Sequence, residues 1–215
     1  MKTLAFTAES NSQYESLAVE VSRRFKELNG IECRVLTPSN FNFTKVRSPH
    51  WVKTFLWEQT PDDVERILWL DVDVVLLRAM DPLPDAPFAA VHDEFQHFNH
   101  CKSVSAAVRR LPNFFSTGFF MAQRASIPAF VEAQKNMWEE PGLAGAHGER
   151  SCLNVAMFDI LGGWKELPPI YNWVPSNGYP NDKCIMIHYA GGSAEKHHVS
   201  ATIEQLLKNE RRRPL

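Results

Sequence analysis

Ile67-Leu68-Trp69-Leu70-Asp71-Val72-Asp73-Val74-Val75-Leu76-Leu77 is an apolar run broken only by two carboxylates set two residues apart. Near-continuous aliphatic character predicts a strand covered on both faces, as in a parallel sheet. Strand side chains alternate, so Asp71 and Asp73 are expected on the same side. Unpartnered carboxylates inside such a strand carry a heavy desolvation cost. That cost is relieved if the strand ends there and a cation lies between them. Ligand sites of open α/β sheets lie at the carboxyl ends of the strands. The stretch therefore reads as a divalent-metal site at a strand end. The plainer alternative is a turn or a salt-bridged pair without function.

Upstream, Thr3 to Ala8 reads as a first strand ending in the polar turn Glu9-Ser10-Asn11-Ser12. Tyr14 to Leu28 carries Leu17, Val21, Phe25 and Leu28 at helical spacing, and Asn29-Gly30 stops it. Ile31 to Leu36 is a second strand closed by Thr37-Pro38, which makes a β-α-β opening. Residues 40–50 read as loop and Trp51 to Gln59 as a short helix. Downstream, breakers fill Arg78 to Pro84, and Phe88 to Val91 is a short strand ending at His92-Asp93. Residues 95–113 give no clear signal. Phe114 to Ala122 is a strand interrupted by Ser116-Thr117-Gly118, which without function would be a β-bulge. Helices follow over Ile127 to Glu139 and Glu149 to Leu161, joined by a Gly-rich loop. Leu167 to Val174 is irregular, and Cys184 to Tyr189 is the last strand, followed by Ala190-Gly191-Gly192-Ser193. This alternation predicts a single α/β domain over residues 1–215, a mostly parallel sheet flanked by helices, with a basic tail at about 205–215.

The 215 residues suffice for one sizeable core, and 44% hydrophobic with 22% charged residues excludes a disordered chain. A net charge of -2 offers no electrostatic footprint for nucleic acid. Cys33, Cys101, Cys152 and Cys184 form no C-x-x-C pair, so zinc-knuckle and dithiol redox readings fall away and buried thiols are expected. The apolar residues Leu4-Ala5-Phe6 are too few for a signal-peptide core, and no run is long enough to span a bilayer. A cytoplasmic location is the expectation. Arg211-Arg212-Arg213 reads as a solvated tail, or as a weak contact with an anionic membrane surface.

Polar candidates recur where the strands stop: Glu9, Asp71, Asp73, Asp93 and His188. Two carboxylates and an imidazole suit manganese or magnesium, and no H-E-x-x-H spacing speaks for zinc. No phosphate-binding glycine loop of either common spacing is present, so a phosphate would be held by the metal and by Lys or Arg.

These residues resemble a known family. Leu68-Trp69-Leu70-Asp71-Val72-Asp73-Val74-Val75 is similar to the D-x-D strand of GT-A fold glycosyltransferases, in particular the family-eight retaining enzymes. Lys53 sits where that family usually has an Arg near the donor phosphates. Phe88 to Asp93 is similar to the strand whose terminal Asp contacts the donor sugar. Phe115-Ser116-Thr117-Gly118-Phe119-Phe120-Met121 resembles the F-N-S-G segment and its apolar continuation. Glu149-Arg150-Ser151-Cys152-Leu153-Asn154 stands in place of D-Q-D-x-L-N, and Ile187-His188-Tyr189-Ala190-Gly191 with Lys196 resembles the closing I-H-F-x-G segment and its lysine.

The resemblance implies a UDP-sugar donor, an acceptor hydroxyl, a manganese or magnesium ion and transfer with retention. It implies Asp71, Asp73 and His188 as metal ligands and Glu149 and Asp93 as catalytic candidates. Donor-binding roles fall to Thr7, Ala8, Glu9, Lys53, Asp71, Val72, Ser116, Thr117, Gly191 and Lys196. Three departures stand out: Asn becomes Ser116, Asp-Gln-Asp becomes Glu149-Arg150-Ser151, and Lys196 is displaced by about two residues. They fall at donor-sugar and reaction-centre positions, and they keep a non-catalytic nucleotide-sugar-binding protein as the alternative. A haloacid-dehalogenase-type phosphohydrolase also begins with D-x-D at a strand end, but it needs a second acidic cluster downstream, and the pair Asp62-Asp63 lies upstream. A nucleotidyltransferase would show a Gly- and Arg/Lys-rich signature near the first strand, which Thr7 to Ser12 lacks.

Overall fold

A computed structural model describes residues 1–9, 15–46, 48–93, 105–140, 143, 148–175 and 182–189. Six strands form one sheet: β1 (Thr3–Ala8), β2 (Cys33–Leu36), β3 (Arg66–Leu70), β5 (Phe88–His92), β6 (Phe115–Gln123) and β7 (Lys165–Leu167). Their spatial order is β2-β1-β3-β6-β5-β7. β1 pairs in parallel with β2 and β3, and β5 with β7; β6 runs antiparallel between β3 and β5. The α/β class and the mostly parallel sheet agree with the expectation.

The decisive stretch is two strands rather than one. β3 ends at Leu70, residues 71–73 form a turn, and β4 (Val74–Leu76) leaves the main sheet to pair antiparallel with β8 (Met186–His188). Ionised carboxylates resist burial in a ladder, so the chain turns where they occur. The continuous apolar character of β3 has the expected cause. Ile67 and Trp69 pack on one face with Phe6, Phe88 and Phe120, and Leu68 and Leu70 on the other with Val21, Phe25 and Phe119.

The helices cover both faces. α1 (Glu15–Asn29) buries Leu17, Val21 and Phe25 at i, i+4 spacing and stops at Gly30, whose φ of 67° suits a residue without a Cβ. Between β5 and β6 lies the single-turn α2 (Ala106–Arg109). α3 (Ile127–Glu139) and α4 (Gly148–Leu161) cover the opposite face through Phe130, Met137, Leu153 and Met157. The expected short helix before the D-x-D strand is a 3-10 helix over Pro49–Gln59, with six consecutive buried residues from Trp51 to Leu56. Trp51 and Trp69 lie in the core, whereas Trp138 is exposed.

Because β6 is antiparallel, its first residues stand at the sheet edge where β1, β3 and β5 end. Its pairing with β5 moves from Ala90↔Phe120 to His92↔Phe115, so Ser116, Thr117 and Gly118 bulge out of register there. The bulge read from the sequence therefore exists, and it faces the functional edge.

Candidate metal and donor site

Among the described residues, one group of three side chains has the donor set for a cation: Asp71, Asp73 and His188, with ligand atoms within 4.8 Å of one another. His188 Nε2 lies 3.2 Å from Asp73 Oδ1 and 3.7 Å from Asp71 Oδ2. The carboxylates come from the turn after β3, and His188 from the end of β8. Pairing of Val74 with His188 carries the imidazole across to them. The Tyr189 amide donates to the Asp73 carbonyl at 2.9 Å and the Asp71 amide to that of Gly118, also at 2.9 Å, so both ends of the turn are fixed. Two oxygens and one nitrogen on one side, with the opposite side formed by no described ligand, fit a divalent ion that keeps positions for phosphate.

Lys53 is 2% exposed, not on a solvated face. Its ammonium has three protons and three acceptors: Asp71 Oδ1 at 2.9 Å, Thr117 O at 3.2 Å and Thr117 Oγ1 at 3.3 Å. It also lies 5.3 Å from the centre of the Trp69 ring. Its charge is paired with the D-x-D carboxylate. Trp69 Nε1 donates to the same Oδ1 at 2.7 Å, leaving Asp71 Oδ2 to face His188. Burial alone would push the Asp71 carboxyl upward. Lys53 outweighs it, with His188 and Trp69, and the group is held below its usual range.

Burial pushes the His188 imidazole down, but the charge and hydrogen bond of Asp73, and then Asp71, raise it above its ordinary value against the opposing Arg150. A folded value above the unfolded one, about 6.5, means that the protonated ring stabilises the metal-free protein fully below that pH. This stability is lost as pH rises through the raised value. A cation at Nε2 takes the proton's place. Manganese is therefore expected to raise the melting temperature more at about pH 8.5 than at about pH 6. A larger rise on the acid side would remove His188 from the ligand set.

A second group stands beside this one. Arg150, near the start of α4, bonds Asp93 at 2.6 Å, with side chains 10% and 9% exposed. Asp93 is thus one partner of a buried ion pair just after β5. Asn154 anchors α4 to the start of β6, accepting from the Phe115 amide and donating to its carbonyl. Glu149 is buried at the same helix terminus. The sequence reading missed Arg150 and Asn172; the altered D-Q-D segment pointed to the first, and no signal pointed to the second. Ser116 Oγ accepts from the Asn172 amide at 2.9 Å.

At the end of β1, Thr7 is fully buried, Ala8 is partly buried and Glu9 is 6% exposed. Thr7 Oγ1 and Glu9 Oε2 have no hydrogen-bond partner among the described residues. Val72, in the turn, packs on Leu17 and Val75. The structure thus joins Lys53, Asp71, Asp73, Thr117 and His188 directly, with Ser116 accepting from the Gly118 amide beside them. Asp93, after β5, is bonded to Arg150 of α4, and Glu149 precedes Arg150 in that helix. Gly191 and Lys196, with Cys101 and Arg211 to Arg213, lie outside the described residues. No described helix is long and apolar enough to cross a membrane.

Gly118 decides the fit of the imidazole. A Cβ there would stand 2.3 Å from His188 Cε1 and 2.4 Å from Nδ1. Gly118→Ala is expected to drive the ring from its place, to cost about 1–3 kcal/mol of stability, and to weaken manganese binding in a calorimetric titration. Unchanged binding would mean that the ring position is immaterial.

The family profile described as Glycosyl transferase family 8 matches residues 1–196. Among solved structures, a glycosyltransferase involved in the glycosylation of the major capsid of PBCV-1 superposes with a TM-score of 0.66 at 14% identity, covering 94% of this chain and 100% of that one. The galactosyltransferase LgtC, in complex with donor and acceptor sugar analogs, gives 0.62 at 13% identity over 92% and 95%. The bifunctional glycosyltransferase WbbM gives 0.58 at 15% identity, covering 89% of this chain and 46% of that one. No curated protein matches by sequence.

Proposed function

Since this chain belongs to glycosyl transferase family 8, we propose that it moves a sugar from a UDP-sugar to an acceptor hydroxyl with retention of configuration, using manganese or magnesium. The observation that carries this reading is the meeting of Asp71, Asp73 and His188 at the edge where β1, β3 and β5 end. A divalent cation bound there would supply positive charge to a diphosphate leaving group as the glycosidic bond breaks. The chain's own residues prepare for it. Lys53 and Trp69 hold Asp71 Oδ1, so that the carboxylate does not rotate and Oδ2 stays towards His188. Glu9, with one buried carboxylate oxygen that has no hydrogen-bond partner among the described residues, is assigned to a uracil N–H. Thr7 and Ala8 are assigned to the nucleoside beside it, and Val72 to the turn beneath.

Asp93 is assigned to a donor-sugar hydroxyl, oriented by Arg150. Ser116 and Thr117 are assigned to the sugar and diphosphate end of the donor. Gly191 and Lys196 would follow His188 onto the diphosphate. Glu149 is the acidic candidate on the reaction side. The Arg150–Asp93 pair also favours a second reading, donor binding without transfer, because a guanidinium neither accepts a proton nor attacks an anomeric carbon. One experiment separates the readings. A panel of nucleotide-sugars is titrated with manganese and with chelator, and released UDP and sugar are followed. Manganese-dependent binding of one UDP-sugar with its turnover supports the enzyme. Binding without even slow hydrolysis supports the second reading, and binding of no member overturns both.

A further inference from the structure

His188 Nδ1 is buried and lacks a hydrogen-bond partner among the described residues, and so does Asn172 Oδ1. The two atoms lie against the same spot. A Cβ on Gly118 would stand 2.4 Å from the first and 3.0 Å from the second. We propose that Asn172 is the positioning residue for His188: its side-chain carbonyl accepts the Nδ1 proton and so keeps Nε2 turned towards Asp71 and Asp73. The proposal rests on the metal reading of that site.

Four features support the pairing. An imidazole that ligates through one nitrogen carries its proton on the other, and that proton needs an acceptor. Asn172 is held in place to supply one. Its Nδ2 donates to Ser116 Oγ at 2.9 Å, and Ser116 Oγ also accepts from the Gly118 amide at 3.3 Å. Adjacent chain segments carry the two side chains, because the His188 amide donates to the Trp173 carbonyl at 2.7 Å. Finally, Asn172 is 4% exposed and His188 2%, so bulk water does not compete freely for either group.

The amide orientation matters. Turned by half a rotation, it would offer Nδ2 to His188 Nδ1, and the ring proton would have to sit on Nε2, where the ligating lone pair is needed. The orientation with Oδ1 towards the ring is the one compatible with a metal ligand. Ser116 and Gly118 then serve the site indirectly: one fixes the amide, and the other leaves room for the contact.

The test compares wild type, Asn172→Leu, Asn172→Asp and His188→Ala. Free manganese is measured by electron paramagnetic resonance in the absence of nucleotide-sugar. Asn172→Leu is expected to bind manganese roughly 10–100-fold more weakly. Asn172→Asp, which keeps the acceptor, is expected to stay near wild type. Wild-type affinity in Asn172→Leu, with binding lost in His188→Ala, overturns the proposal and spares the metal site. Absence of manganese binding by the wild type overturns the metal reading itself. Nitrogen-15 NMR of the unaltered, metal-free protein then still decides the contact. A His188 Nδ1 proton protected from exchange, and unprotected in Asn172→Leu, supports it. An Nδ1 without a proton, or one that exchanges freely in the wild type, overturns it even if Asn172→Leu does not fold.

Discussion

Asp73→Asn is expected to lower kcat/KM by at least about a thousandfold, or about 4 kcal/mol of transition-state stabilisation, while the melting temperature stays near that of the wild type. The asymmetry between the two carboxylates is the reason. The Asp71 carboxylate is tied to Lys53 and Trp69, so its loss would disturb the packing around it. Asp73 has a side chain 24% exposed, and its contact with the site is His188 Nε2 at 3.2 Å. An amide there keeps the shape and removes the charge that a cation requires. Transfer and donor binding, each with and without manganese, are the measurements. Unchanged metal dependence in the variant would place the cation elsewhere.

Lys53→Met is expected to act through stability rather than through the donor. Removing one partner of a buried ion pair costs about 3–5 kcal/mol. Asp71 retains Trp69 and His188 and is 23% exposed, so about 3 kcal/mol is the expected loss, a fall in melting temperature of roughly 6–12 °C for a chain of this size. A second consequence separates this role from phosphate binding. With the ammonium gone, an added cation neutralises Asp71 instead, so manganese should stabilise Lys53→Met more than it stabilises the wild type. An unchanged melting temperature with weakened UDP binding would return Lys53 to the phosphates.

Much of this arrangement is legible in the chain. β3 announces itself because both of its faces are covered, so neither carries polar residues. His188 announces itself as a polar side chain closing an apolar run. What the chain does not disclose is direction and distance. Phe114 to Ala122 reads as a strand, but nothing in its composition says that it runs antiparallel and brings its first residues to the functional edge. The D-x-D run reads as one strand because Val74, Val75 and Leu76 are as apolar as β3, although they pair in a different sheet.

The burial of Lys53 is hidden in the sequence for a related reason. A 3-10 helix buried from Trp51 to Leu56 has no polar face to show which way a lysine points. Asn172 lies in a proline-containing segment without period, and its amide gains meaning from residues 56 positions before it and 16 after it. Arg150 stands out as a departure from the family pattern, but its partner Asp93 is 57 residues away and only the fold brings them together.

The most direct test is an anomalous-scattering map from crystals grown with manganese and UDP. The account predicts one peak at coordinating distance from Asp71, Asp73 and His188 Nε2, with diphosphate oxygens completing the ion's shell. A peak held by other residues, or UDP bound in that cleft with no peak beside it, would contradict it.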